Sequence, residues 1–158
     1  MSVANSVYLE AEFLHKGKKF TVKLSHSSIS IKKIPFNPKD GTVVLRFTDI
    51  VGIEAHPQQK NTLVLYTYEK TGKNRERRVY AFQAQENEIV KEWVRSTRCL
   101  LRGVEPDKEQ PPKQRIVVFV NPAGGKGKAF DIWNNVSDMF EVANIDTTVY
   151  CKYIYIFI

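Results

Sequence analysis

The sequence predicts an α+β arrangement followed by an α/β one: an antiparallel barrel closed by a C-terminal helix, then a single βαβ unit. Three observations predict it. Residues 7–83 are divided by polar and glycine turns into seven short stretches rich in β-branched and aromatic residues. Residues 87–102 switch to helical spacing. After a proline-rich break, five consecutive apolar residues run into a glycine-rich segment and a second helical pattern.

The first strand, 7–14, ends at His15-Lys16-Gly17-Lys18, a hairpin turn in which Gly17 supplies a positive φ. Phe20, Val22 and Leu24 alternate with Thr21 and Lys23, the pattern of a half-buried strand. A serine-rich turn leads to a strand at 29–34, and Pro35, Asn37, Pro38 and Gly41 mark a loop. Further strands fall at 43–47, 50–55, 63–68 and 77–83, with a polar turn over 69–74. Asn87 is the expected helix N-cap, and Glu88 places acidic charge in the first turn. Ile89, Val90, Trp93, Val94, Thr97, Leu100 and Leu101 share one face; Arg95, Arg98 and Arg102 load the later turns before Gly103 at C′.

Residues 104–113 have the composition of a linker, with three prolines and almost no apolar side chains. Ile116-Val117-Val118-Phe119-Val120 reads as a strand buried on both faces, as in a parallel sheet. Phe130, Ile132, Trp133, Val136, Met139, Phe140 and Val142 recur at helical spacing, and 145–150 starts a second strand. Strand, glycine-rich loop, helix and strand make one right-handed βαβ unit.

Net charge is +7 in 158 residues, from 24 Lys and Arg against 17 Asp and Glu. That balance favours phosphate-bearing partners without choosing among them. The two cysteines have no metal or redox spacing, and their scarcity fits a reducing compartment. No secretory signal and no stretch near the ~20 apolar residues of a membrane span is visible. The expected location is cytoplasmic, with peripheral membrane contact. Nucleic acid is not expected as a partner, because no aromatic-basic recognition motif is present. His15, His26 and His56 read as surface residues.

A loop from a parallel strand into a helix points backbone N–H groups at the positive end of the helix dipole. Gly124, Gly125 and Gly127 permit tight turns and close approach of an anion. Lys126 and Lys128 add charge toward β- and γ-phosphates, Asn121 orients the turn through its side-chain amide, and Pro122 fixes φ. The loop is not a Walker loop: Ala129 follows Lys128 where magnesium would need Ser or Thr. Nor does the glycine spacing fit the dinucleotide fingerprint.

The run Val120-Asn121-Pro122-Ala123-Gly124-Gly125-Lys126-Gly127-Lys128-Ala129 closely resembles the opening motif of the diacylglycerol-kinase catalytic superfamily. The double glycine followed by Lys-Gly-Lys is most similar to the sphingosine, or sphingoid long-chain-base, kinases. Ceramide kinases are nearly as close, and diacylglycerol kinases more often carry serine at the position of Gly124. Residues 5–103, with Trp93 in the helix, resemble a pleckstrin-homology-like barrel, which also stands upstream of this loop in sphingoid-base and ceramide kinases. The resemblance implies an N-terminal barrel at 5–103, a linker at 104–113, and at 114–150 the start of a truncated lipid-kinase nucleotide-binding domain.

It further implies an ATP-dependent kinase that phosphorylates the primary hydroxyl of a sphingoid base, sphingosine or sphinganine, with Mg2+. Asn121, Pro122 and Ala123 would lie at the nucleotide, and Gly124, Gly125, Lys126, Gly127 and Lys128 would form the phosphate loop. The later motifs of the superfamily are not in this sequence: a Gly-Gly-Asp-Gly type loop, a Ser-Gly-Asp motif carrying the base, an acidic magnesium site and a lipid lobe. No catalytic residue is therefore assigned, no metal ligand is assigned, and the chain is expected to be inactive alone. Lys16, Lys18, Lys19 and Lys23, around the first hairpin, are candidates for anionic-lipid contact, set against a merely solvated hairpin. A ceramide or diacylglycerol kinase fragment and a non-catalytic membrane- or protein-docking module remain alternatives. The tail 151–158, Cys151-Lys152-Tyr153-Ile154-Tyr155-Ile156-Phe157-Ile158, departs from the superfamily and reads as translated intron, since codons for Cys-Lys-Tyr can contain a splice donor.

Overall fold

The computed structural model describes residues 6–106 and 113–151. The chain divides into two compact units, Met1–Pro111 and Pro112–Ile158.

The first unit is mostly antiparallel β-sheet with one helix. Its strands are β1 (Val7–His15), β2 (Lys18–Ser25), β3 (Ser28–Ile34), β4 (Thr42–Arg46), β5 (Ile50–Ala55), β6 (Thr62–Thr71) and β7 (Asn74–Gln83), followed by α1 (Asn87–Leu101). The order across the sheet is β4-β3-β2-β1-β7-β6-β5. The junction between the two halves is slight: β1 meets β7 at Leu14 and Gln83. The first hairpin turns on two residues, Lys16 and Gly17, both at positive φ, with His15 paired to Lys18. That is the geometry that matches strand twist.

The β6–β7 hairpin is longer than its sequence suggests. The polar stretch 69–74, read as a turn, is ladder down to the Thr71–Asn74 pair, leaving Gly72 and Lys73 as the turn. Ion pairs hold this charged extension: Arg78 reaches Glu69 at 3.3 Å and Glu76 at 3.2 Å, and Arg75 reaches Asp49 at 2.8 Å. Phe47 belongs not to β4 but to a short 3₁₀ turn, Phe47–Asp49.

The inward faces of the strands and one face of α1 form the core. Phe13, Val22, Leu24, Ile29, Ile31, Ile53, Leu65, Phe82, Val90 and Trp93 are all buried there. Trp93 meets Phe13 edge-on at 5.2 Å, a favoured aromatic geometry. Each large side chain buried in this way contributes about 1.5–3 kcal/mol.

The helix differs from expectation at its start. Glu86, in extended conformation, is the cap residue without a side-chain cap bond, and Asn87 is the first helical residue. Its end agrees with expectation. Gly103 has φ +68, its N–H donates to Leu100 and that of Val104 to Cys99, a Schellman closure. The arginines act on carbonyls beyond the helix. Arg98 Nε donates to Ile53 O at 3.0 Å, and Arg95 donates to Pro106 O. Burial, opposed by Glu54, pulls the Arg98 pKa below its ordinary value. Residues 104–106, read as the start of a linker, are held against the unit in this way, with Pro106 buried. The remainder of the linker, 107–112, and the tail reading at 152–158 lie outside the described residues.

His15 is not a surface residue. It is half-buried among Phe20, Tyr80 and Phe82, with Nδ1 2.8 Å from Ala81 O. His26 is exposed, and half-buried His56 accepts from the N–H groups of Gln58 and Gln59.

The second unit comprises β8 (Gln114–Val120), a four-residue helical turn α2 (Gly124–Gly127), α3 (Ala129–Val142) and β9 (Ile145–Cys151). β8 and β9 pair in parallel, Gln114 with Ile145 through Val120 with Cys151. Cys151, assigned from sequence to the aberrant tail, therefore completes β9.

The expectation that β8 is buried on both faces fails. Ile116, Val118 and Val120 turn toward α3, but Val117 is 57% and Phe119 76% exposed. One helix covers one face, and two strands offer no second layer. On α3, Trp133, Val136 and Phe140 are half-buried, whereas Phe130 and Ile132 fall off the packed stripe and are exposed. No described helix in either unit is long and apolar enough to cross a membrane.

Candidate functional site

β8 delivers the chain to Asn121, and Asn121 shapes the turn after the strand. Its side-chain Oδ1 accepts from the N–H of Ala123 at 3.1 Å, and its carbonyl accepts from the N–H of Gly124 at 2.8 Å. This is an Asx turn laid over a β-turn. The chain then enters left-handed backbone: Gly125 (φ 59, ψ 34), Lys126 (φ 59, ψ 39) and Gly127 (φ 81). Hence α2 is helical in hydrogen bonding but not in its interior angles.

Gly124 needs no special conformation. A Cβ there would make ordinary contacts, 3.7 Å to Ala129 and 3.8 Å to Asn121. The conformational demand expected at three glycines falls on Gly125, Gly127 and Lys126. A left-handed non-glycine residue such as Lys126 costs about 1–2 kcal/mol.

Lys128 closes the loop. Its N–H donates to Gly125 O at 3.3 Å and its carbonyl accepts from Ile132 at 3.0 Å, which opens α3. The amides of Ala129, Phe130 and Asp131 come next, at the positive end of that helix, where no residue of α3 lies four positions back to accept. Asp131 also stands in this first turn. Its carboxylate competes with any incoming anion, a feature the glycine and lysine pattern conceals.

A groove of about 370 Å³ opens beside the loop. Asn121, Gly124 and Gly125 line it with Val120, Ile132, Trp133 and Val136. The structure thus brings three of the expected loop residues onto one cavity. Lys126, Gly127 and Lys128 are exposed outside its lining. Half-buried Pro122 and exposed Ala123 also lie outside it. Ile132, Trp133 and Val136, read from sequence only as an apolar helix face, form its wall.

The four candidate lysines of the first hairpin do not form one cluster. Lys16 sits in the turn itself, and Lys18 lies opposite His15. Lys19 and Lys23 alternate with buried Val22 and Leu24, and so occupy the outer face of the sheet. Lys23 is paired with Glu10 at 3.0 Å. Among the described residues no group of three or more His, Cys, Asp or Glu side chains is placed to hold a metal.

No family model matches the chain. A ceramide kinase of Oryza sativa subsp. japonica is 31% identical over 70 residues, 44% of this chain and 11% of that relative. The chain thus spans about a tenth of the length of that relative. Over that stretch it is similar to a lipid kinase. Seventy residues exceed the whole second unit, Pro112–Ile158, so the likeness takes in part of the first unit. Among solved structures, the hSac2 domain of the human phosphoinositide phosphatase Sac2 aligns over 99% of this chain and 82% of its own, with a TM-score of 0.40 and 9% identity.

Proposed function

We propose that this chain is part of an ATP-dependent lipid kinase acting on the primary hydroxyl of a sphingoid backbone, and that residues 121–128 cradle the nucleotide phosphates. The reading rests on one observation: a parallel strand enters a helix through an Asx-anchored turn and left-handed glycines beside an open groove. Such a loop supports phosphate because its amides stand at a helix N-terminus, and Lys126 and Lys128 flank it in solvent. ATP would supply the transferred phosphoryl group. The chain's contribution is to hold and orient it, the part of phosphoryl transfer that depends on positioning. No described residue is assigned to Mg2+.

The likeness to a ceramide kinase and the Gly-Gly-Lys-Gly-Lys motif point to neighbouring substrates: a sphingoid base, sphingosine or sphinganine, and its N-acyl derivative. They share the hydroxyl to be phosphorylated. Diacylglycerol is the more distant alternative. The placement is cytoplasmic and peripheral to membranes. A non-catalytic docking role for the first unit is the second reading, favoured by the contrast between its closed core and the exposed apolar faces of the second unit.

Titrating the full chain with ATP while recording amide resonances tests the phosphate cradle. Shifts concentrated at residues 123–131 are expected. Unmoved loop amides, or equal shifts at residues far from the loop, would overturn it. Incubation with ATP and either sphingosine or ceramide is expected to give no product from this chain alone.

A further inference from the structure

The second unit leaves one face of its sheet uncovered. β8 and β9 are each seven residues long and pair from first residue to last, so their ends are flush. α3 packs on the face that carries Ile116, Val118 and Val120. The opposite face carries three cross-strand pairs in order: Arg115 beside Asp146, Val117 beside Thr148, and Phe119 beside Tyr150. All six side chains are exposed. The Phe119 and Tyr150 rings stack 5.5 Å apart with 20° between their planes, so each strand supplies one aromatic at the same height. Lys113 joins the charged end by reaching Asp146 at 3.1 Å.

This order of side chains is complementary to itself. A two-fold axis running along the strands, between two copies stacked face to face, lays β8 of one copy over β9 of the other. Strand directions are kept, which is the aligned arrangement of packed sheets. Because the register is flush, Arg115 then faces the second copy's Asp146, and the reverse pair forms beside it. Phe119 faces the second copy's Tyr150, and Val117 faces its Thr148. A two-fold axis across the strands would instead set Arg115 over Phe119 and the Asp146 carboxylate over the Tyr150 ring, whose face is itself negative.

We propose that the outer face of β8 and β9 is a self-association surface, closed into a dimer by a two-fold axis along the strands. Charge complementarity and matched aromatics select a second copy as the occupant. One surface supplies both halves of every contact, as an isologous interface requires. The patch is about 23 Å long and about 10 Å wide. Two copies together therefore bury less than about 1,200 Å², the size of weak and reversible complexes. Residues 121–128 are not part of the patch, so the dimer and the phosphate cradle stand or fall separately.

Sedimentation velocity of the full chain over about 1–300 µM tests it. A reversible monomer–dimer equilibrium that stops at two copies is expected. Phe119→Ser should weaken association about tenfold. Phe130, an exposed apolar residue on α3 rather than on the sheet, is the control; Phe130→Ser should change association less than about twofold. Arg115→Asp and Asp146→Arg should each weaken it about tenfold, because each sets like charges opposite one another. An equimolar mixture of those two variants should recover dimers near parental strength, since both cross-copy pairs are then again of opposite sign. Circular dichroism checks that each variant folds, and recovery in the mixture separates lost pairing from misfolding. Four results would each overturn the proposal: a monomer at every concentration, as another covering of the face would give; growth past two copies; Phe119→Ser associating like the parent; or a mixture no stronger than either charge variant alone.

Discussion

The two units use similar apolar runs and reach different ends. In the first, alternating strands put Phe13 against Trp93, which is 3% exposed, in one core with Leu24 and Phe82. In the second, the more uniformly apolar run 116–120 leaves Phe119 in solvent. An apolar run specifies a strand; whether it is buried depends on how many layers surround it. Seven strands and a helix cover one another, whereas two strands and a helix leave a face bare. Trp93→Ala breaks the comparison most directly. It should cost about 3–5 kcal/mol in urea or thermal unfolding of the first unit. Phe119→Ser should leave that transition within about 0.5 kcal/mol and reduce self-association. A large loss of stability from Phe119→Ser would show that its ring packs in solution.

The same contrast decides what was legible in the sequence. The strands of the first unit were legible because period-two alternation and inward burial coincide, as at Phe20, Val22 and Leu24. The reach of β6 and β7 was not, because the polar stretch 69–74 looks like a turn until its ladder and the Arg78–Glu69 pair across it are seen. Asn121 was legible as a turn-former, since a short amide before proline has few other local uses. The left-handed Lys126 was not, because no side-chain pattern marks it.

The closed core of the first unit is not fully satisfied, and that sharpens the comparison. Ser96 and Cys99 are buried although the helical pattern assigned them to no face. Thr97 was placed correctly, yet its Oγ1, like Ser96 Oγ, is buried without a hydrogen-bond partner. Thr97→Val keeps the shape and removes the lone hydroxyl, and should stabilise the unit by about 1 kcal/mol. A loss of similar size would show that the hydroxyl is bonded in solution.

A comparable effect concerns the side-chain network on the β6–β7 hairpin. Tyr80 Oη donates to Glu69 Oε1 at 2.6 Å, and Thr67 Oγ1 donates to the same oxygen at 3.1 Å. Burial first, then the bond to Glu69, raises the Tyr80 pKa above its ordinary value. The folded protein therefore holds the phenol proton more tightly than the unfolded chain does. The associated stability is fully present below the unfolded pKa, about 10, and is lost as pH rises toward the folded value. Tyr80→Phe should cost about 0.5–1.5 kcal/mol at neutral pH. The gap between variant and parent should narrow as pH passes about 10. A gap that stays constant through that range would place the Tyr80 proton outside the folding equilibrium, leaving Thr67 and Arg78 as the partners that fix Glu69.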